Sequence, residues 1–214
     1  MSKFKAALAA LIPIAIVGCS TEGQITEQGV IVNRSACPAV AIPAATGDVT
    51  LFNPETSRDA NAIDVVANIT NVRSTCDETA TGEAITTNVT FDVQAQRRDA
   101  RGARDVVLPY FAVVMRGGTN VVSKSVSRVG LHFADGQLRA QTSGRATSQV
   151  QRSAVTLSED VRRQVTRERK AGDPDAAIDP MADPKVRDAV RAASFEVLVG
   201  FQLTRDQLAY NATR

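Results

Sequence analysis

Apolar and polar residues alternate through much of this chain. The clearest run is 87–96, where Val89, Phe91, Val93 and Ala95 alternate with Asn88, Thr90, Asp92 and Gln94. A period of two sets one face of a strand on a core and the other in water. Ile63, Val65, Ala67 and Ile69 alternate in the same way, but Val66 and Val72 break the pattern, which predicts a strand that is more deeply buried or bulged. Residues 105–115 are apolar on both faces, as in a central strand, although Pro109 demands an edge or a bulge. Gly117-Gly118 and Asp135-Gly136 supply the positive φ angles of tight type I′ turns. The strand entering the first turn, the strand between the two turns and the run 138–150 are therefore expected to form a three-stranded antiparallel meander. Its last member is mostly polar: Leu138, Ala140, Ala146 and Val150 share the inward register, while Arg139, Gln141, Arg145 and Gln149 face the other way.

The period then changes. Ser158 is placed to cap a helix running to about Ala171, with Glu159 and Asp160 in its first turn and Arg167, Arg169 and Lys170 in its last. Its apolar stripe is thin, only Val161 and Val165. A loop with Asp-Pro at 173, 179 and 183 follows, and Pro184 fits the first position of a second helix that aligns Val186, Ala189, Val190 and Ala193. The chain then returns to strand at Phe195, Val197, Val199, Phe201 and Leu203, and Thr204 with Gln207 has capping-box spacing for a last short helix. No β-α-β alternation is visible, which argues against a doubly wound fold. About seven strands predict a mainly β domain, an immunoglobulin-like or related antiparallel β-sandwich with a helical insertion at about 158–193, before the C-terminal strand. A single twisted sheet covered by the two helices is the alternative.

The first residues carry a different signal. Lys3 and Lys5 precede an apolar run, 6–17, interrupted by Pro13 and shorter than the roughly 20 residues a membrane span needs. It ends in Ile16-Val17-Gly18-Cys19, which resembles the lipobox of bacterial lipoproteins. The resemblance implies cleavage before Cys19, a diacylglycerol on its thiol and acylation of its new amine. Ser20 in place of Asp implies release to the outer membrane, so the expected location is the periplasmic face of that membrane. Two or more acyl chains make such anchoring stable. Phe195 to Asn211 also resembles the tail of uncharacterised proteobacterial lipoproteins. On this reading 1–18 is a signal peptide, 19–36 a lipidated cysteine with a polar tether reaching roughly 50–60 Å, and 37–214 the folded domain. Val30-Ile31-Val32 is the one part of the tether suited to a short edge strand.

Losing Lys3 and Lys5 brings the formal charge from +2 to neutrality, which argues against nucleic acid as a partner. With Cys19 acylated, Cys37 and Cys76 remain, the even number one disulfide needs in an oxidising compartment. The alternative is two reduced, buried thiols. His132 is the only histidine, and no nucleophile motif, zinc-protease helix or phosphate loop accompanies it. Asp173, Asp175, Asp179 and Asp183 fail the calcium-loop template, since Pro184 stands where its bidentate glutamate belongs. No metal or cofactor is implied. Arg97, Arg98, Arg101 and Arg104 form one candidate partner-binding cluster, and Arg162, Arg163, Arg167, Arg169 and Lys170 form another; a solvated loop and a solvated helix are the plain readings of each. The expectation is a non-enzymatic outer-membrane lipoprotein that binds another envelope protein as an accessory or assembly subunit. The alternative is a periplasmic module that binds a small ligand or lipid. The anchor has a direct test: a Cys19→Ser variant is expected to lose metabolic lipid labelling and accumulate uncleaved precursor, and persistent labelling would remove the lipobox reading.

Overall fold

The structure, a computed structural model, describes residues 23–26, 29–32, 34–167, 172–174 and 178–213. The signal segment, Cys19, Arg169, Lys170 and Asp175 lie outside the described residues. Strands β1 (Gly23–Thr26) and β2 (Gly29–Val32) pair as an antiparallel hairpin within the stretch read as a tether. The chain continues through β3 (Ala39–Ala41), β4 (Asp48–Phe52), β5 (Ile63–Cys76), β6 (Ala84–Arg97), β7 (Arg104–Arg116), β8 (Asn120–Phe133) and β9 (Arg139–Gln151). Three helices follow, α1 (Arg152–Val155), α2 (Glu159–Thr166) and α3 (Pro184–Ala192), then β10 (Phe195–Phe201) and α4 (Arg205–Thr213).

Two four-stranded sheets, β3-β10-β7-β8 and β4-β5-β6-β9, make a β-sandwich. The helical insertion lies between β9 and β10, as the change of period predicts, and the single-sheet alternative does not hold. Every pair in these sheets is antiparallel except β3 with β10. The inward register of the sequence becomes the core: Val65 and Ala67, Val89, Phe91 and Val93, Leu131 and Phe133, Val197, Val199 and Phe201 are all buried. Each large apolar side chain fully buried there stabilises the fold by about 1.5–3 kcal/mol. The irregular pattern of β5 is a bulge: its register to β6 shifts between Thr70 and Arg73, and Asn71 takes a φ of 53°. β7 is an interior strand in spite of Pro109. The Pro109 carbonyl accepts from the backbone N–H of Gln202, one residue past β10, so the absent N–H falls where the neighbouring strand has ended.

Gly117 and Gly118, with φ of 62° and 74°, form the type I′ turn that joins β7 to β8. The second expected hairpin is overturned. β9 pairs along its whole length with β6, in the opposite sheet, and not with β8. At the Asp135-Gly136 turn only Gly136 has positive φ (76°), so the backbone is not the type I′ form that folds a strand back on its neighbour. Gln137 N–H closes the turn on the Ala134 carbonyl, and the chain crosses from one sheet to the other.

The ends of the insertion follow helix chemistry. Asp183 accepts from Lys185 N–H at the start of α3 with Pro184 in the first position, and Thr204 and Gln207 make both bonds of a capping box before α4. Helix α2 is shorter than expected: it ends at Thr166, Arg167 is extended, and Ser158 makes no side-chain cap bond. Cys37 and Cys76 are joined by a disulfide that closes a loop of 39 residues. In the chain-entropy account a loop of that length contributes about 4 kcal/mol. Just before it, Arg34 donates to the Ala193 and Val155 carbonyls, so contacts with the body of the domain start ahead of Cys37.

Phe91 of β6 packs against Tyr110 of the opposite sheet, and its ring lies over Gly144, its cross-strand partner on β9. A Cβ at 144 would stand 2.3 Å from Phe91 Cζ. Gly144→Ala is expected to destabilise the domain by about 1–3 kcal/mol, the cost of overpacking a filled site. Urea unfolding measures it, and a change no larger than an ordinary surface substitution would refute this role for the ring.

Candidate interaction surface

The first arginine cluster does not form one surface. Arg97, the last residue of β6, is only 2 % exposed and is withdrawn from any contact with a partner. Its Nε donates to the Gln137 carbonyl, Nη1 to Gly102, and Nη2 to Ala100 and Ala134, at 2.7–3.0 Å. Its guanidinium also lies 5.3 Å from the Phe133 ring centroid. This correction has a simple cause: a guanidinium's forked donors suit converging backbone carbonyls, and two loops meet here. The other three arginines stay at the surface. Arg98 donates to the Asn61 carbonyl. Arg101 pairs with Asp99 at 2.7 Å, and its hydrogen bonds hold the Asp99 carboxyl down to about 2. Arg104 makes a two-pronged bond to Asp64 at 2.7 and 2.8 Å, which raises its own pKa.

In the second cluster two of the arginines are neutralised within their own helix. Arg162 bonds Glu159 and Arg163 bonds Asp160, each one turn back along α2. Arg167 N–H donates to the Arg163 carbonyl at the helix end. A cavity of about 760 Å³ separates α2 from 178–183, lined by Asp160, Arg163, Arg167, Asp179 and Asp183. Asp179 and Asp183 are engaged as caps, of Met181 N–H and Lys185 N–H. Among the described residues no group of three metal-ligating side chains converges. His132 lies on the outer face of β8 with Nδ1 2.6 Å from Asp105, an exposed pair in which both side chains are mostly in solvent.

Hollows also mark the end of the sandwich near Asp64. One, of about 630 Å³, is lined by charged groups, Arg58, Arg104, Glu55, Asp64 and Asp206 among them, together with Leu51 and Phe52. Between the sheets the space is taken by side chains: the Phe91 and Tyr110 rings meet edge to face at 5.1 Å.

The open part of the molecule is the side where β8 and β9 are the edge strands of their sheets. The inner face of β8 starts apolar at Phe133, Leu131 and Val129, all buried, and turns polar at Ser127, Ser125 and Ser123. With nothing apolar to cover, residues 120–128 are exposed on both faces, nine consecutive positions including Val121, Val122 and Val126. Tyr110 of β7 reaches past this segment, and its hydroxyl donates to the Arg145 carbonyl of β9 at 2.6 Å. The sandwich is thereby sealed behind β8, whose first nine residues stand outside it. Lys124 and Arg128 of β8, with Arg139 and Arg145 of β9, carry positive charge here, and neither strand contains a carboxylate. Among the described residues none of these four cations is in an ion pair. Lys124 Nζ rests 5.3 Å over the Phe111 ring, which leaves its charge available.

No family model, curated protein or solved structure matches this chain significantly. The open side was not among the sequence-nominated clusters, although its signal is present: nine residues of alternating pattern, 120–128, whose expected inward positions hold three serines. The two kinds of arginine are separable by experiment. Arg97→Met, which strands four carbonyl acceptors, is expected to cost more than about 2 kcal/mol. Arg101→Ala is expected to stay within about 0.5 kcal/mol. Equal effects in thermal or chemical unfolding would sink the distinction.

Proposed function

We propose that this chain is a non-enzymatic, lipid-anchored lipoprotein of the bacterial cell envelope, held at the periplasmic face of the outer membrane as an accessory or assembly subunit of another envelope protein. The observation that carries this reading is the exposed first half of β8, whose outer edge has no neighbouring strand among the described residues, with cations that have no carboxylate partner beside it. A strand edge of this kind is a template for another chain. The lipobox-like Ile16-Val17-Gly18-Cys19 supports the anchor, and the Cys37–Cys76 disulfide suits an oxidising compartment outside the cytoplasm. The aromatic packing between the sheets supports a partner-binding role over a ligand held in the interior. The role of subunit is tested by brief cross-linking of the full-length lipidated protein in its own envelope at native expression, followed by recovery in mild detergent. An envelope protein in stoichiometric amount is expected, and recovery of the protein alone would overturn the proposal.

A further inference from the structure

We infer that the free edge of β8 receives an acidic, extended segment of the envelope partner, added as a fifth strand to the β3-β10-β7-β8 sheet. The inference rests on the accessory-subunit reading and specifies the mode of contact. Strand addition supplies affinity through main-chain hydrogen bonds and specificity through alternate side chains.

The backbone polarity of β8 follows from Pro109. Pro109 lies opposite Arg128, and its carbonyl is turned to the β10 side, where it accepts from Gln202 N–H. Pro109 and Arg128 are therefore a non-hydrogen-bonded pair, and such pairs alternate along an antiparallel ladder. Val126, opposite Phe111, and Lys124, opposite Val113, fall on the same alternation. The N–H and C=O groups of Lys124, Val126 and Arg128 consequently point away from β7, toward the unoccupied side of the sheet. These residues also share one face, opposite to that of the buried Val129 and Leu131. Ladder and side chains thus present one recognition pattern: cation, apolar residue, cation, with about 13 Å of backbone between the two cationic positions.

A strand laid against this edge places its own residues directly opposite, where unlike charges stabilise and like charges destabilise. The complementary segment reads acidic, any, apolar, any, acidic. That order is symmetric, so it holds for either strand direction. The same rule disfavours a second copy of this chain in the registers that align the charged positions: antiparallel self-pairing centred on Val126 sets Lys124 against the other copy's Arg128, and centring it on Lys124 or Arg128 sets like charge against like.

The probe is a fluorescein-labelled peptide, Thr-Glu-Thr-Val-Thr-Glu-Thr, titrated with the full-length lipidated protein in detergent and read by anisotropy. A peptide with lysine in place of both glutamates is the control. The glutamate peptide is expected to bind at least about tenfold more tightly than the lysine peptide. Val126→Pro removes an outward donor and takes no bond from β7, so it is expected to abolish the difference while leaving thermal unfolding close to the parent's. In the double variant Lys124→Glu, Arg128→Glu, at two exposed positions, the preference is expected to reverse toward the lysine peptide. Absent or equal binding of the two peptides, full binding by Val126→Pro, or no reversal in the double variant would overturn the inference. Dimerisation abolished by Val126→Pro would also overturn it, by assigning the edge to a second copy. A partner recovered from the envelope whose cross-links map away from residues 120–128 would refute the edge and leave the subunit reading intact. Peptide recognition without any recovered partner would do the reverse.

Discussion

A buried guanidinium with no carboxylate of its own organises one end of this molecule. Arg97 directs four donors at carbonyls from two loops, 98–103 and 134–138. Those loops are tied further by Gly136 N–H to the Ala100 carbonyl and by Gly102 N–H to the Asp135 side chain. A charge removed from water at this depth is costly unless it is fully hydrogen-bonded. The loops must therefore hold the arrangement that satisfies it, and that arrangement sends the chain from β8 across to the opposite sheet. Arg97 N–H also donates to the Leu138 carbonyl and starts the β6–β9 ladder in register.

The remaining architecture follows from that crossing. β9 lies on β6, with Phe91 seated over Gly144, and Tyr110 ties its Arg145 carbonyl to the other sheet. Among the described residues β8 has β7 as its only ladder partner, and its inner face runs out of apolar residues at Val129. A strand with serine inside and water on both faces adds little to the core. Its free edge is instead guarded by Lys124 and Arg128, charges that disfavour self-pairing and leave room for an acidic partner. The same crossing thus seals the core and leaves a strand edge available for contact.

Charge at the surface divides in an instructive way. The arginines that stand out in sequence have acceptors: Arg101, Arg162 and Arg163 find theirs two or three residues away, because turns and helices bring such neighbours into contact, while Arg98 and Arg104 reach Asn61 and Asp64 across the fold. The cations of β8 and β9 have no such neighbours, since along a strand the same-face residues are mostly serine, threonine, valine and glutamine. Isolated charges on a regular edge are less conspicuous in sequence than a run of four arginines, and more available in space.

The sequence by itself determined the local structure. Alternation at 63–69, 87–96 and 195–201 placed the strands and their buried faces, because side-chain direction in a strand depends only on residue parity. Gly117-Gly118 determined a tight hairpin turn, Pro184 and the Thr204–Gln207 pair determined helix starts, and Cys37 with Cys76 offered one disulfide, which the fold then closed. Tertiary structure alone decided which strands became neighbours. Asp135-Gly136 permits several turn backbones, and only the Arg97 contacts, 37 and 40 residues away in sequence at Ala134 and Gln137, select the one that crosses between sheets. The open edge of β8 was beyond local reading for the same reason. An edge is defined by the strand that is absent beside it, and parity along one segment carries no information about its neighbours.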